Sequence, residues 1–271
     1  MKGKKILYVS SELTPYFPEN PISRTSVELP RQMSELGKDV RIFMPCFGNI
    51  NERRHQLHEV IRLSGMNLVV NDMSQPLVIK VASIPNTRLQ VYFIDNDEYF
   101  KRKGCYRDKE GNFYTDNDER MLFFVRGVLE TIKKLNWSPD VIHVHGWMSA
   151  LLPLYLRTYY KDEPIFNDTR VFSSVYDVAY EGNLDEAMIK KIEMDGIDIS
   201  ALDYLREPSF LNLTRLMVEH SDGVVKGAES LSSDLIDLLD SADRPVLDYL
   251  SCEAFAEAYG KLYEEAALNE A

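Results

Sequence analysis

Cysteine is scarce, three in 271 residues. Cys46, Cys105 and Cys252 are far apart and outside any CxxC or Cys/His spacing, so neither a disulfide framework nor a zinc site is indicated. A reducing cytoplasm is the expected compartment. Long apolar runs are also missing: nothing approaches the roughly 18 consecutive apolar residues of a membrane helix. The basic start Lys2-Gly3-Lys4-Lys5 leads into Ile6–Val9, but that run stops at Ser10-Ser11-Glu12, too short for the apolar region of a signal peptide. Glycine (13) and proline (12) are too few for a low-complexity or disordered chain. Basic residues are in deficit, 31 Lys and Arg against 43 Asp and Glu for a net charge of −12. Such a surface repels polyphosphate and anionic lipid, so neither nucleic acid nor membrane is expected as a partner.

Several chemical signatures are absent as well. No GxGxxG follows the first apolar run and no Walker sequence occurs, so a nicotinamide enzyme or a P-loop phosphotransferase would lack its anion-binding backbone. No Gly-x-Ser-x-Gly turn offers a hydrolase nucleophile. The acidic stretch Asp95 to Glu119 lacks the spacing of a calcium-binding EF-hand loop, and its charges read as solvated loop residues.

What is present is an alternation of short apolar runs and amphipathic stretches. Ile6–Val9 and Val40–Met44 fit strands buried on both faces of a parallel sheet. Between them Val27, Leu29, Met33 and Leu36 form a helical stripe, closed by Gly37 where a left-handed residue is needed. Residues 60–95 change character, with Met66–Val70, Leu77–Ile84 and Leu89–Ile94 separated by turn clusters, a hairpin or meander. A helix capped at Asp116 or Asn117 carries Met121, Val125, Val128, Ile132 and Leu135 on one face. Val141–Val144 reads as a strand, Met148–Tyr159 as a helix and Val171–Val175 as a strand. Helices follow over Thr214–His220, Leu231–Leu239 and Glu253–Leu268, the last with Phe255, Tyr259, Leu262 and Ala266 on one face. The expected fold class is α/β: a Rossmann-like, doubly wound, mostly parallel sheet with a β-hairpin insertion and a C-terminal amphipathic helix.

In such a sheet ligands bind at the carboxyl ends of the strands. Three strand-end loops are polar: Ser10-Ser11-Glu12 through Arg24-Thr25-Ser26, then His143-Val144-His145-Gly146-Trp147, then Ser173-Ser174-Val175-Tyr176-Asp177. His143 and His145 invite a metal reading, but alternation along the strand is expected to point the two rings to opposite faces. No nearby Asp, Glu or Cys completes a ligand set, so no metal is expected. Trp147 beside His145 offers an aromatic face of the kind that stacks on sugars, as well as a core-packing surface.

The order of the motifs is specific. Lys5-Ile6-Leu7-Tyr8-Val9-Ser10-Ser11-Glu12-Leu13-Thr14-Pro15-Tyr16-Phe17 is followed by Leu29-Pro30. Leu36-Gly37-Lys38-Asp39-Val40-Arg41-Ile42-Phe43-Met44-Pro45 with Phe47-Gly48 comes next. Val91-Tyr92-Phe93-Ile94-Asp95, Tyr99-Phe100, Asp116-Asn117 with Glu119-Arg120, and Pro139-Asp140-Val141-Ile142-His143-Val144-His145-Gly146-Trp147 then appear in turn. From about residue 4 to 225 the chain resembles the opening of bacterial glycogen synthases and plant starch synthases. The resemblance implies the acceptor-side, N-terminal domain of a two-domain GT-B enzyme. Such enzymes extend α-1,4-glucan from a nucleotide sugar, usually ADP-glucose, with retention and without a cofactor. It also implies His145 as the catalytic-centre residue, with Glu12, Arg24, Trp147, Tyr176 and Asp177 on the substrate side.

Departures fall in the same loops. Asn20-Pro21-Ile22-Ser23-Arg24-Thr25-Ser26 stands where the family carries Lys-Thr-Gly-Gly, keeping a cation in Arg24 but not the glycines that let backbone approach a diphosphate. Gly146 replaces the aspartate of His-Asp-Trp, and Tyr176-Asp177 replace the last two residues of Thr-Ile-His-Asn. The expected organisation is one domain over 1–245 and a terminal helix over 246–271 folded back on it, with no room for the donor domain after Gly223. A donor half supplied by self-association or a partner subunit would complete a transferase. The alternative is a non-catalytic glucan-binding or regulatory subunit derived from such an enzyme, recognising α-glucan or maltooligosaccharide. A third reading is an interaction subunit in which His145 and Trp147 only pack.

Overall fold

The computed structural model describes residues 3–265. Its strands are β1 (Lys5–Ser10), β2 (Asp39–Pro45), β3 (His58–Glu59), β4 (Met66–Val70), β5 (Met73–Ser83), β6 (Gln90–Asp95), β7 (Val141–His145), β8 (Arg170–Val175), β9 (Gly223–Lys226) and β10 (Val246–Leu247). The helices are α1 (Pro21–Glu35), α2 (Asp97–Phe100), α3 (Asn117–Leu135), α4 (Leu152–Arg157), α5 (Met188–Met194), α6 (Phe210–Glu219), α7 (Ser233–Asp240) and α8 (Phe255–Glu265).

The central strands run in the order β6-β2-β1-β7-β8-β9-β10, all parallel. That order reverses direction at β1, the doubly wound arrangement with its switch point between β1 and β7. The expected insertion appears as antiparallel β5, which pairs with β6, β3 and β4. The β4–β5 hairpin turns through Asn71 and Asp72, both at positive φ, the left-handed geometry that suits a two-residue hairpin.

α1 begins with reciprocal capping by Asn20 and Ser23, has Pro21 in its first turn, and ends before Gly37 at φ +78°. Leu29 and Met33 of its predicted stripe are buried, whereas Leu36 caps the helix and is exposed. α3 contacts α4, which contacts α6, which contacts α7, forming one layer; α1 and α8 lie against each other in the other. Gln32 of α1 joins them, donating to Cys252 O (2.8 Å) and accepting from Ala256 N (3.0 Å). Phe255, Tyr259 and Tyr263 of α8 are buried. Ala266 and Leu268, expected to extend this helix, lie outside the described residues.

The single helix expected over 148–159 is split into a 3₁₀ turn at Trp147–Ser149 and α4, because Pro153 fits only the first turn of a new helix. β3, β9, β10 and α5 were not anticipated. Each is short, and two-residue strands or a seven-residue helix carry too little periodicity to register.

Candidate functional site

The strand-end polar residues form two rows on the face of the sheet beneath α8. Tyr8, His143 and Phe172 are register partners across β1, β7 and β8, and Ser10, His145 and Ser174 form the next row. His143 and His145 therefore share one face, with ring centroids 4.4 Å apart and planes at 12°. This corrects the opposite-face expectation: strand side chains alternate with a period of two, so residues two apart point the same way. His143 is hydrogen-bonded through Nδ1 to the Tyr263 hydroxyl (2.5 Å) and through Nε2 to Ser174 Oγ (2.8 Å). His145 Nδ1 meets the Tyr176 hydroxyl at 2.9 Å, while its Nε2 is buried without a hydrogen-bond partner. Burial depresses both imidazoles, His145 to about 3 and His143 well below the usual histidine value, the latter also through His145. Both rings are neutral at pH 7.

Glu12 lies just past β1 and is also buried. One carboxylate oxygen accepts from Asn20 Nδ2 (2.5 Å) and the other from the Tyr106 hydroxyl (3.1 Å), which also lies 2.8 Å from Ser11 Oγ. Burial raises the Glu12 pKa, opposed by the hydrogen bonds from Asn20 and Tyr106.

Trp147 sits in an aromatic box, with ring centroids 4.9 Å from Tyr106, 5.1 Å from Tyr180 and 5.8 Å from Phe113. It is 6% exposed. The void lined by Gly146, Trp147, Tyr176, Val178 and Ile22 holds only about 10 Å³, room for one water and not for a sugar. Gly146 itself has φ +77° and ψ 163°, a conformation open essentially to glycine alone.

The remaining predicted residues lie elsewhere. Arg24 is exposed on α1 and lines a cleft of about 500 Å³ with Glu19, Asn20, Thr25, Glu229 and Tyr249. Its wall includes Cys252 and Phe255 from the C-terminal segment. Asp177 is exposed and accepts from Ser232 N at 2.9 Å, tying its loop to the start of α7. The structure thus brings together His145 with Tyr176, joins Glu12 to Trp147 through Tyr106, and separates Arg24 and Asp177 from them.

Sequence reasoning missed Tyr106 and Tyr263. Ser174 of the third polar loop is brought beside the histidines by the β7–β8 register, which the sequence does not state, and Tyr106 and Tyr263 come from distant segments. It also missed a buried ion cluster in which Lys191 Nζ meets Asp118 (2.7 Å), Glu119 (2.9 Å) and Asp185 (3.1 Å). Among the described residues, Cys46, Glu52 and Asp95 converge as metal ligands would, but the Lys80 and Lys101 ammoniums already bridge the two carboxylates.

Residues 5–237 match the family of starch synthase catalytic domains. A glycogen synthase of Chlorobium limicola is 36% identical over 80% of this chain and 44% of its own length. A glycogen synthase of Chlorobium luteolum is 31% identical over 99% of this chain and 60% of its own. Among solved structures, the catalytic domain of starch synthase IV from Arabidopsis thaliana, bound to ADP and acarbose, superposes with a TM-score of 0.72 at 15% identity. That match covers 92% of this chain and 52% of the other. The doubly wound sheet and this superposition define the fold as that of a GT-B glycosyltransferase domain. Within that class the chain belongs to the glycogen/starch synthase family. It spans about half the length of the curated relatives it matches.

Proposed function

We propose that the protein acts in α-1,4-glucan biosynthesis as the acceptor-side half of a glycogen/starch synthase, and that this half binds glucan without transferring glucose by itself. The observation that carries the reading is the closed strand-end site. His145, the residue the family resemblance puts at the reaction centre, is 0% exposed, and the adjoining void of about 10 Å³ admits no glucosyl unit. The chemistry beside it agrees: both imidazoles are buried and neutral, whereas a departing diphosphate needs cations aimed at it. Arg24, the one cation carried over in the loop, faces a separate cleft. ADP and acarbose in the superposed starch synthase IV support a nucleotide sugar, ADP-glucose, as the donor of the complete reaction and α-glucan as the acceptor. The donor-binding half would come from a second domain or a partner subunit.

The test is incorporation of label from ADP-glucose into glycogen by the purified chain, alongside affinity electrophoresis through glycogen-containing gels. Retardation without incorporation is the expected result. Incorporation that disappears in His145→Ala would show a working synthase, and absence of both would leave only a structural role.

A further inference from the structure

Cys46, Glu52 and Asp95 reach one point from three separate stretches of backbone. Cys46 directly follows β2, and its backbone N–H donates to Ile94 O of β6 at 2.8 Å. Asp95 ends β6 and is the register partner of Val78, two residues from Lys80 on β5, so Asp95 and Lys80 share a face of the sheet. Glu52 sits on the turn between β2 and β3, where its carbonyl accepts from Leu57 N at 2.9 Å. The Cys46 sulfur and one oxygen from each carboxylate lie within 4.8 Å of one another, the convergence that coordination of an ion requires.

The ion pairs leave part of this cluster unused. Asp95 is 3% exposed, and its Oδ2 meets Lys80 at 2.7 Å and Lys101 at 3.3 Å, whereas its Oδ1 is buried with no hydrogen-bond partner. Oδ1 is bonded to the same carbon as Oδ2, so it stays inside the cluster. An orphaned, buried carboxylate oxygen costs free energy that a cation recovers. Cys46 beside it is a free and buried cysteine. The two ammoniums are not equivalent. Lys80 is held in the interior, while Lys101, 2.5 Å from Glu52 Oε1, lies at the solvent side with twice the side-chain exposure.

We propose that Cys46, Glu52 and Asp95 bind one divalent transition-metal ion of the zinc class, which takes the place of the Lys101 ammonium. One sulfur and two carboxylates, with water in the fourth position, suit such an ion; calcium and magnesium are served by oxygen ligands alone. Burial pushes the Cys46 thiol up to about 12, so it is protonated at pH 7 and gives its proton to solvent as the ion enters. Lys101 turns out to water still charged. Three anionic ligands then face one dication and Lys80, as neutral a cluster as the present two carboxylates against two ammoniums. The site stands independently of the glucan reading.

Co²⁺ is the probe, added to the full chain kept reduced with a phosphine and read through the thiolate-to-cobalt charge-transfer band. The expected result is a band that saturates at one ion per chain and is erased by Zn²⁺, which binds such ligands more tightly. The band is expected to be absent in Cys46→Ser and to persist when Cys105 and Cys252, the other two cysteines, are both changed to serine. Lys101→Met is expected to tighten Co²⁺ by about fivefold, the worth of a partly exposed ammonium–carboxylate contact that no longer competes. Glu52→Gln alters a half-buried side chain on the turn and is the second ligand variant should Cys46→Ser fail to fold; it is expected to weaken Co²⁺ at least tenfold. No band in either the parent or Lys101→Met at millimolar Co²⁺ overturns the site. So does a band that survives Cys46→Ser, or one that disappears with Cys105 and Cys252, or Co²⁺ affinity unchanged in Glu52→Gln.

Discussion

His143 and His145 stack on one face of β7 with ring centroids 4.4 Å apart, and the hydrogen bonds that hold them come from hydroxyls. A carboxylate beside either ring would stabilise its charged form; a hydroxyl does not, and burial leaves both neutral. Their pKa values in the folded chain lie below the ordinary value of 6.5. The unfolded chain therefore takes up more protons as pH falls below 6.5, and stability is lost in that direction. Each histidine is expected to cost about 1.4 kcal/mol per pH unit below that point. Urea unfolding of the parent and His145→Gln between pH 7.5 and 5 checks this. The parent loses stability more steeply, and equal slopes would refute the neutral pair. The comparison between variants cancels the opposite contributions of Glu12 and Asp118, whose raised pKa values favour the fold as pH drops.

Tyr263 ties the C-terminal helix to that pair. Its hydroxyl sits 2.5 Å from His143 Nδ1 and 3.4 Å from the Tyr8 hydroxyl, with all three residues buried. Tyr263→Phe removes the oxygen but keeps the ring, stranding a buried imidazole nitrogen. The expected loss is about 1–3 kcal/mol of unfolding free energy. A change below about 0.5 kcal/mol, the size ordinary surface substitutions give, would mean that the Tyr263 hydroxyl contributes nothing to the hold on α8.

The long elements of this fold were readable because burial on both faces leaves a continuous apolar run, as in Ile6–Val9, and because α3 carries a full helical stripe. β9 and β10 escaped because their pairing is decided by neighbours rather than by their own four and two residues. Motif order singled out His145, Glu12 and Trp147, and strand alternation correctly applied would also have paired His143 with His145. Nothing local in the sequence announces that Tyr106 and Phe113 of the α2–α3 loop and Tyr180 of the β8–α5 connection fold over Trp147. Closure is a tertiary property, and it separates a family site from an accessible one.

Gly146 is where the chain departs from His-Asp-Trp, and its backbone explains why the aspartate cannot simply be restored. At φ +77° and ψ 163° any side chain is strained, and a Cβ would contact Ile22 at 3.5 Å. Gly146→Asp is expected to destabilise the fold by about 1–3 kcal/mol, read as a lower urea midpoint. An unchanged midpoint would mean that the loop relaxes into a different conformation at no cost.

The open cleft at the start of α1 makes the last prediction. It joins one exposed aromatic face, Tyr249 at 43% exposure, to hydrogen-bonding groups on Arg24, Asn20 and Glu19, which is the composition that holds a sugar ring from its face and its edge. With the His145 pocket closed, this cleft offers, among the described residues, both kinds of contact that the proposed glucan binding would use. Tyr249→Ala is expected to weaken maltooligosaccharide binding about fivefold, in line with the 0.5–1.5 kcal/mol that an aromatic contact adds beyond its area. Arg24→Ala should act in the same direction. Both side chains are exposed, so thermal midpoints should stay within about 1 °C of the parent, the range of a surface substitution. Binding titrations on the two variants at pH 7 decide it: affinity unchanged in both would place the glucan elsewhere, whereas loss in both with intact stability would fix it between α1 and the C-terminal segment.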